Sequence, residues 1–220
     1  MGQDTTAEPK DKPYDAQKPI SEVLASARAI TRGDHAGLYL ASRGLSKGSP
    51  DLLYTPKCWE SESKKNYPAM LAKVLTPDGR LASVHRTFLE GGNKAPIACP
   101  KKLMPGVLSI SGGAIRLGGG HKRIGIAEGI ETALAVTELT GNPCWSVISA
   151  GGMESFIPPA GVEEVFIYGD NDRNFVGQAA AYTCAKRLNE LVKVFVFIPE
   201  IDGQDWLDHL IETKSQEQMK

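Results

Sequence analysis

From Arg123 onward the chain alternates short apolar runs with helix-length ones, and this limits the fold more than any other feature. The order is "RIGIAE", "GIETALAVTELTG", "CWSVISA", "VEEVFIYGD", "VGQAAAYTCAKRLNELV" and "KVFVFIP". Repeated strand–helix units of this length imply a parallel sheet with helices on both faces, and ligands near the carboxyl ends of its strands. Acidic residues fall at those ends. Glu128 closes the first strand, Asp170 and Asp172 close the third, and Asp202, Asp205 and Asp208 follow the last.

Before Arg123 the pattern is different. "SEVLASARAI" and "DHAGLYLASRGL" have helical apolar spacing, the second with Asp34 as a candidate cap and Gly44 at its end. "AMLAKVLTPDGRLASVHRTFLEGG" places two β-branched runs around Pro-Asp-Gly and predicts a hairpin. "GVLSISGGAIRLGGG" repeats that pattern around Gly-Gly, so an antiparallel lobe is expected over about residues 50–120. Residues up to Pro19 are rich in Lys, Asp, Pro and Thr and read as a disordered leader. The expectation is therefore an α/β protein: a leader over 1–19, a smaller mixed α+β lobe with a basic segment over 20–122, and a parallel-sheet domain over 123–220.

A chain of 220 residues, 41% hydrophobic, suits one domain or two small ones. Its four cysteines stand singly, with no Cys-x-x-Cys or Cys/His pairing at ligand spacing, so no zinc site is expected. No stretch approaches a membrane span and the polar start lacks a signal-peptide core, which points to a cytoplasmic, reducing setting. The net charge of −1 hides an uneven distribution. Gly91 to Ala127 carries no acid but six positive residues, Lys94, Lys101, Lys102, Arg116, Lys122 and Arg123, whereas Glu128 to the end carries fifteen acids and six bases. That polarity suits a protein holding polyanions with one part and cations with another; it also suits ordinary solvated surface charge.

Two aspartates separated by one residue at a strand end repel each other unless a cation lies between them. Mg²⁺ prefers hard oxygen ligands and accepts carboxylates together with water and substrate phosphates. Asp-Asn-Asp by itself is equally a turn signal. Its position after a strand, with acids ending two other strands, favours a metal site.

In this order and spacing, "AEGIETALA", "GDNDRNFVG" and "DGQDWLDHL" resemble the three motifs of a TOPRIM domain, in the version found in phage and plasmid DNA primases. The preceding "LAKVLTPDGRLASVHRTFLEGGNKAPIACPKKLMPG" is similar to the lobe before TOPRIM in those primases. The resemblance implies a primase catalytic core, a nucleotidyltransferase joining ribonucleoside triphosphates on single-stranded DNA with Mg²⁺ or Mn²⁺. Glu128 would be general acid–base or metal ligand, Asp170 and Asp172 catalytic metal ligands, and Asp205 the acid of the third motif. Arg86, Lys94, Lys101, Lys102 and Lys122 would contact template or nucleotide phosphates. Many TOPRIM proteins carry Asp four residues after the motif glutamate, where this chain has Thr132. Glu131 lies one residue earlier, about 100° around the helix, and does not inherit that role by position. Template recognition and unwinding would come from the rest of a longer protein of which this is the catalytic fragment, or from a separate zinc-binding module or helicase. The same acids also suit a metal-dependent nuclease, and a non-catalytic nucleic-acid-binding factor is a third reading.

Other residues carry weaker signals. Trp145 reads as core, and Trp206, beside Asp205, is the tryptophan best placed to stack a base. Trp59 is a further stacking candidate, and His85 reads as a solvated strand histidine. "RLGGGHKR" reads as an interdomain joint, and Gly151 and Gly152 as either a backbone approach to nucleotide or a plain turn.

Overall fold

The computed structural model describes residues 16–119 and 122–219. Its first helix, α1 (Gln17–Ala25), starts inside the segment expected to be a leader. Pro19 stands in its first turn, where a missing N–H costs nothing, and Ile20, Val23 and Leu24 supply a helical apolar stripe. The leader expectation thus reaches too far at its C-terminal end, and residues 1–15 lie outside the described residues.

The N-terminal lobe is one antiparallel sheet. Strands β1 (Arg28–Ala29), β2 (Leu52–Glu60), β3 (Lys65–Leu75), β4 (Leu81–Glu90) and β5 (Asn93–Lys94) pair in sequence order, and β6 (Lys101–Leu103) pairs with β4. The expected hairpin joins β3 to β4 through Thr76–Arg80, with Gly79 at φ 86°, a conformation glycine enters without steric cost. Period-two alternation divides β4 between two faces. Val84 and Phe88 pack under α1 with Cys58, Ala69 and Leu71. Leu89 points the other way, into a core shared with the second lobe and with α2 (His35–Ser42). Asp34 caps α2 by accepting from the Ala36 and Gly37 N–H groups, as its sequence position suggests.

The second lobe is a four-stranded parallel sheet in the order β10-β9-β7-β8, made of β7 (Arg123–Ala127), β8 (Cys144–Ser146), β9 (Glu164–Tyr168) and β10 (Lys193–Phe197). Helices α3 (Ile130–Thr140) and α6 (Trp206–Gln218) pack on one face; α4 (Ala150–Ser155) and α5 (Val176–Leu188) pack on the other. Along β7, Ile124 and Ile126 face α5, and Ala127 faces α3. Both faces are covered, which explains why these strands read as continuous apolar runs. The second expected strand shortens: β8 stops at Ser146 because Ile148 turns the chain at φ 77°.

The expected second hairpin is absent. Instead of pairing with itself, the segment around Gly112 and Gly113 links the two sheets. Ala114 exchanges both backbone hydrogen bonds with Leu75 at the end of β3, at 2.9 and 3.0 Å. Its neighbour Ile115 exchanges both with Ser146 of β8, at 2.8 and 3.0 Å. Gly113 permits this approach, since a Cβ there would lie 2.5 Å from the Leu75 carbonyl oxygen. Among the described residues no helix is long and apolar enough to cross a membrane.

Candidate metal and nucleotide site

The inner strands β7 and β9 pair in parallel with Ala127 opposite Tyr168, so Glu128 and the Gly169–Asp170 step leave the sheet at the same edge. Asp205, the N-cap of α6, arrives beside them. Two glycines make the close approach possible. A Cβ on Gly177 would lie 2.7 Å from the Asp170 carbonyl oxygen and 3.0 Å from Asp172 Oδ2; one on Gly169 would lie 2.6 Å from Ile198. Side-chain amides fix the loop: Gln178 donates to Asn171 Oδ1 and to the Asp172 carbonyl, and Asn171 donates to the Pro199 carbonyl.

The carboxylates are in different states. Asp172 Oδ2 accepts from the Gly177 N–H at 2.9 Å, and Asp205 Oδ1 accepts from Leu207 and Asp208 N–H. Asp170 Oδ1 is buried with no hydrogen-bond partner. Burial first, then the carboxylates of Asp205, Glu128, Asp172 and Asp208, push the Asp170 carboxyl up to about 7. Glu128 is also raised, by burial and by Asp172, against the opposing pull of the Ala150 N–H and Lys101. Among the described residues no three His, Cys, Asp or Glu side chains converge as ligands of one ion. The donor set nevertheless fits a hard divalent cation: an orphaned buried carboxylate oxygen stands among four further acids, and Asp172 and Asp205 each keep one oxygen without a protein partner.

The basic residues singled out in the sequence separate. Lys101 reaches the acidic edge: its Nζ is 2.8 Å from Glu131 Oε2, and its charge is felt at Glu128. Lys94, exposed on β5, belongs to the same cluster; burial and the charges of Lys101 and Arg43 lower its ammonium, with Glu131 opposing. Arg86 and Lys102 pair on adjacent strands and share the α1 face of the sheet with Val84 and Phe88. There Arg86 donates to the Trp59 and Leu103 carbonyls, and Lys102 binds the buried Glu60 at 2.8 Å and Glu62 at 2.7 Å. Lys122 precedes β7, pairs with Glu163 and stands at the amino end of the sheet, a strand length of about 16 Å from the acids.

Against known families, residues 15–117 match a domain of unknown function (DUF7146), and residues 123–216 match the Toprim domain. Residues 123–216 are a Toprim domain. No curated protein matches the chain. Among solved structures, the DnaG catalytic core superposes with a TM-score of 0.60 at 12% identity, over 93% of this chain and 79% of that one. A DNA primase domain from Pseudomonas aeruginosa gives 0.56 at 13% identity, over 90% and 75%. The primase fragment of the bacteriophage T7 primase-helicase gives 0.50 at 17% identity, over 88% and 73%. Both lobes together therefore have the fold of a primase catalytic core.

Within the Toprim domain several expectations are corrected. Trp206 is packed edge-on against Tyr168, and its indole N–H donates to the Gly169 carbonyl at 3.1 Å, so its ring holds α6 to the strand end. Trp59 of the other lobe is the exposed tryptophan, at 54%. Trp145 is core, as expected, with Arg116 stacked over it. Gly151 and Gly152 lie in the first turn of α4 rather than in a plain turn; a Cβ on Gly152 would lie 1.9 Å from the Val147 carbonyl oxygen, while Gly151 faces open space. His85 is buried rather than solvated, with Nδ1 unpartnered; burial and then Lys101 push its imidazole down to about 4. The joint read in "RLGGGHKR" falls partly on residues 120 and 121, outside the described residues.

Sequence reading missed Arg43 and Tyr39 of this edge and weighed Glu131 only as a displaced motif acid. Arg43 follows α2 and joins Lys94 electrostatically. Tyr39 and Glu131 are buried and bonded to each other across the lobes, at 2.5 Å. The "YLASRG" run that carries Tyr39 and Arg43 looks in sequence like an ordinary helix end; only tertiary pairing exposes its role.

Proposed function

We propose that this chain is the catalytic core of a DNA primase, a nucleotidyltransferase that builds short RNA primers on single-stranded DNA. One observation carries the reading: the carboxylates at the carboxyl edge of a Toprim sheet are coupled through Glu128 to Lys101 of the antiparallel lobe, and Lys101 in turn neighbours Lys94, which feels Arg43. Glu128, Asp170, Asp172 and Asp205 would hold Mg²⁺ or Mn²⁺. The chemistry supplied there when the cation is bound is neutralisation of triphosphate charge and activation of a primer 3′-hydroxyl. Asp170 supplies its orphaned oxygen, and Gly177 keeps the Asp170–Asp172 loop tight enough to present both acids to one side. Glu128, its carboxyl raised by burial, is suited to accept the hydroxyl proton at a carboxylate oxygen. Lys101, Lys94 and Arg43 take up phosphate charge opposite the acids. Arg86 and Lys102, on the other face of the sheet, and Lys122, at the far end of β7, would contribute only to a longer template path. A separate helicase or zinc-binding module would supply unwinding and template recognition; the T7 neighbour is itself a fragment of a primase-helicase.

The test is primer synthesis from ribonucleoside triphosphates over varied single-stranded templates with each metal, beside Asp170→Ala and Asp172→Ala. Products that depend on both aspartates are expected. Identical product from folded variants would remove the reading. Parallel incubation of labelled DNA and RNA with metal and no triphosphates separates the nuclease alternative, which would shorten them.

A further inference from the structure

Glu131 sits in the first turn of α3, 5% exposed, with three kinds of partner. The Tyr39 hydroxyl donates to Oε1 at 2.5 Å, the Lys101 ammonium donates to Oε2 at 2.8 Å, and its own backbone N–H also bonds the carboxyl. Tyr39 comes from α2, Lys101 from β6 and Glu131 from the Toprim domain, so this carboxylate is a point where three elements from both lobes meet. Burial by itself would raise the carboxyl; Lys101 and the Tyr39 hydrogen bond outweigh that and hold it at about 2, so it stays ionised at neutral pH.

The geometry is one-sided in a useful way. The Lys101 side chain is 36% exposed while that of Glu131 is 7% exposed, so solvent reaches the ion pair from the lysine side. The same ammonium is sensed by Glu128 on one side and by His85 and Lys94 on the others. A lysine has four rotatable side-chain bonds and loses considerable entropy when held at one place. Beside two other positive residues it would also swing out into solvent unless a fixed anion held it.

We propose that Glu131 is a positioning residue for the triphosphate of the incoming nucleotide, acting through Lys101. It fixes the Lys101 ammonium at the rim of the acidic cluster and leaves that ammonium donors free to meet a phosphate oxygen. This rests on the primase reading above but names a residue outside the acidic motif set, with a role transmitted through a single contact.

The experiment is a double-mutant cycle on ATP binding, followed by fluorescence or calorimetry with Ca²⁺ present, in the full chain. Glu131→Gln keeps an acceptor for Tyr39 and removes the charge. It is expected to weaken ATP about tenfold, the range of one charge-assisted hydrogen bond. In a Lys101→Met background the same change should do almost nothing, because the two act as a unit. Tyr39→Phe separates positioning from lobe packing: it should lower the unfolding midpoint yet leave ATP affinity within about twofold. If Glu131→Gln misfolds by circular dichroism, Glu131→Asp, which keeps the charge and withdraws it by one methylene, replaces it and should give a smaller loss that again vanishes with Lys101→Met. Equal losses with and without Lys101, or wild type that does not bind ATP, overturn the proposal. Primer synthesis is assayed separately, so ATP binding with the expected cycle but no primers would sink the primase reading and leave the role of Glu131 standing.

Discussion

Asp170 and Asp172 lie two residues apart on the same loop, yet Asp172 has an N–H donor from Gly177 and Asp170 has a buried oxygen with none. The pair is therefore divided between an acid held by the backbone and an acid left for something else. That asymmetry governs how the metal-free protein responds to pH. The folded value of about 7 for Asp170 lies above the ordinary 3.8. Stability from this group is full below about pH 4 and is lost as pH rises through 7, because the folded state holds a proton that the unfolded chain has released. Chelated protein should unfold more easily at pH 8 than at pH 5.5 by this contribution. Asp170→Asn should flatten the slope and raise stability at pH 8 by about 1–2 kcal/mol after screening. Urea titrations at the two pH values read this directly, and an unchanged slope in Asp170→Asn would contradict it.

Mg²⁺ should reverse the sign of that effect. Binding to the folded state alone stabilises by mass action, about 2.7 kcal/mol at a hundred times Kd. Thermal scans over a Mg²⁺ series should show a rising midpoint in wild type and a flat one in Asp170→Asn. Parallel rises in both would place the cation elsewhere.

Gly177→Ala introduces a Cβ 2.7 Å from the Asp170 carbonyl oxygen and 3.0 Å from Asp172 Oδ2. The loop must move, so primer synthesis should fall by at least about a hundredfold, as small displacements of reacting groups do. Circular dichroism should stay native, since α5 itself favours alanine. Wild-type activity in this variant would show that the loop has slack.

Lys102→Met leaves Glu60 buried, with Ser63 and Glu62 N–H as its remaining donors. It should lower the melting temperature more than Lys122→Met, whose partner Glu163 is exposed. Neither should change ATP affinity. A large loss of affinity in Lys102→Met with unchanged stability would return Lys102 to the nucleotide site.

Trp206→Ala removes a ring packed on Tyr168 and a hydrogen bond to Gly169, and should cost about 2–4 kcal/mol. Trp59→Ala, at an exposed position, should stay within about 0.5 kcal/mol. Chemical denaturation of the two variants side by side checks the contrast.

What the sequence made legible was local. Glu128, Asp170 and Asp205 could be placed because each directly follows a strand or caps a helix, and the Thr76–Arg80 hairpin because turn chemistry lies within five residues. What it concealed depends on pairing over distance. Glu131 meets Tyr39 across 92 residues and Lys101 across 30. Lys101 and Lys102 are neighbours in sequence, but the strand pleat sends one to Glu131 and the other to the α1 face. Trp206 looked free because its partner Gly169 is 37 residues back. The Gly112–Gly113 segment resembled a hairpin because strand-like residues were present, although their partners belonged to two different sheets.

Ala114 and Ile115 bind β3 and β8 through consecutive peptide units, which makes the dipeptide a backbone splint between the two sheets. Extended backbone points successive N–H and C=O pairs in opposite directions, so inserting or deleting one residue here would exchange which sheet each unit serves. The splint carries no catalytic group and stands beside the shared core and the Glu131 contacts, which also join the lobes. A one-residue change in its length would strain both sheets at once without touching an acid or a lysine.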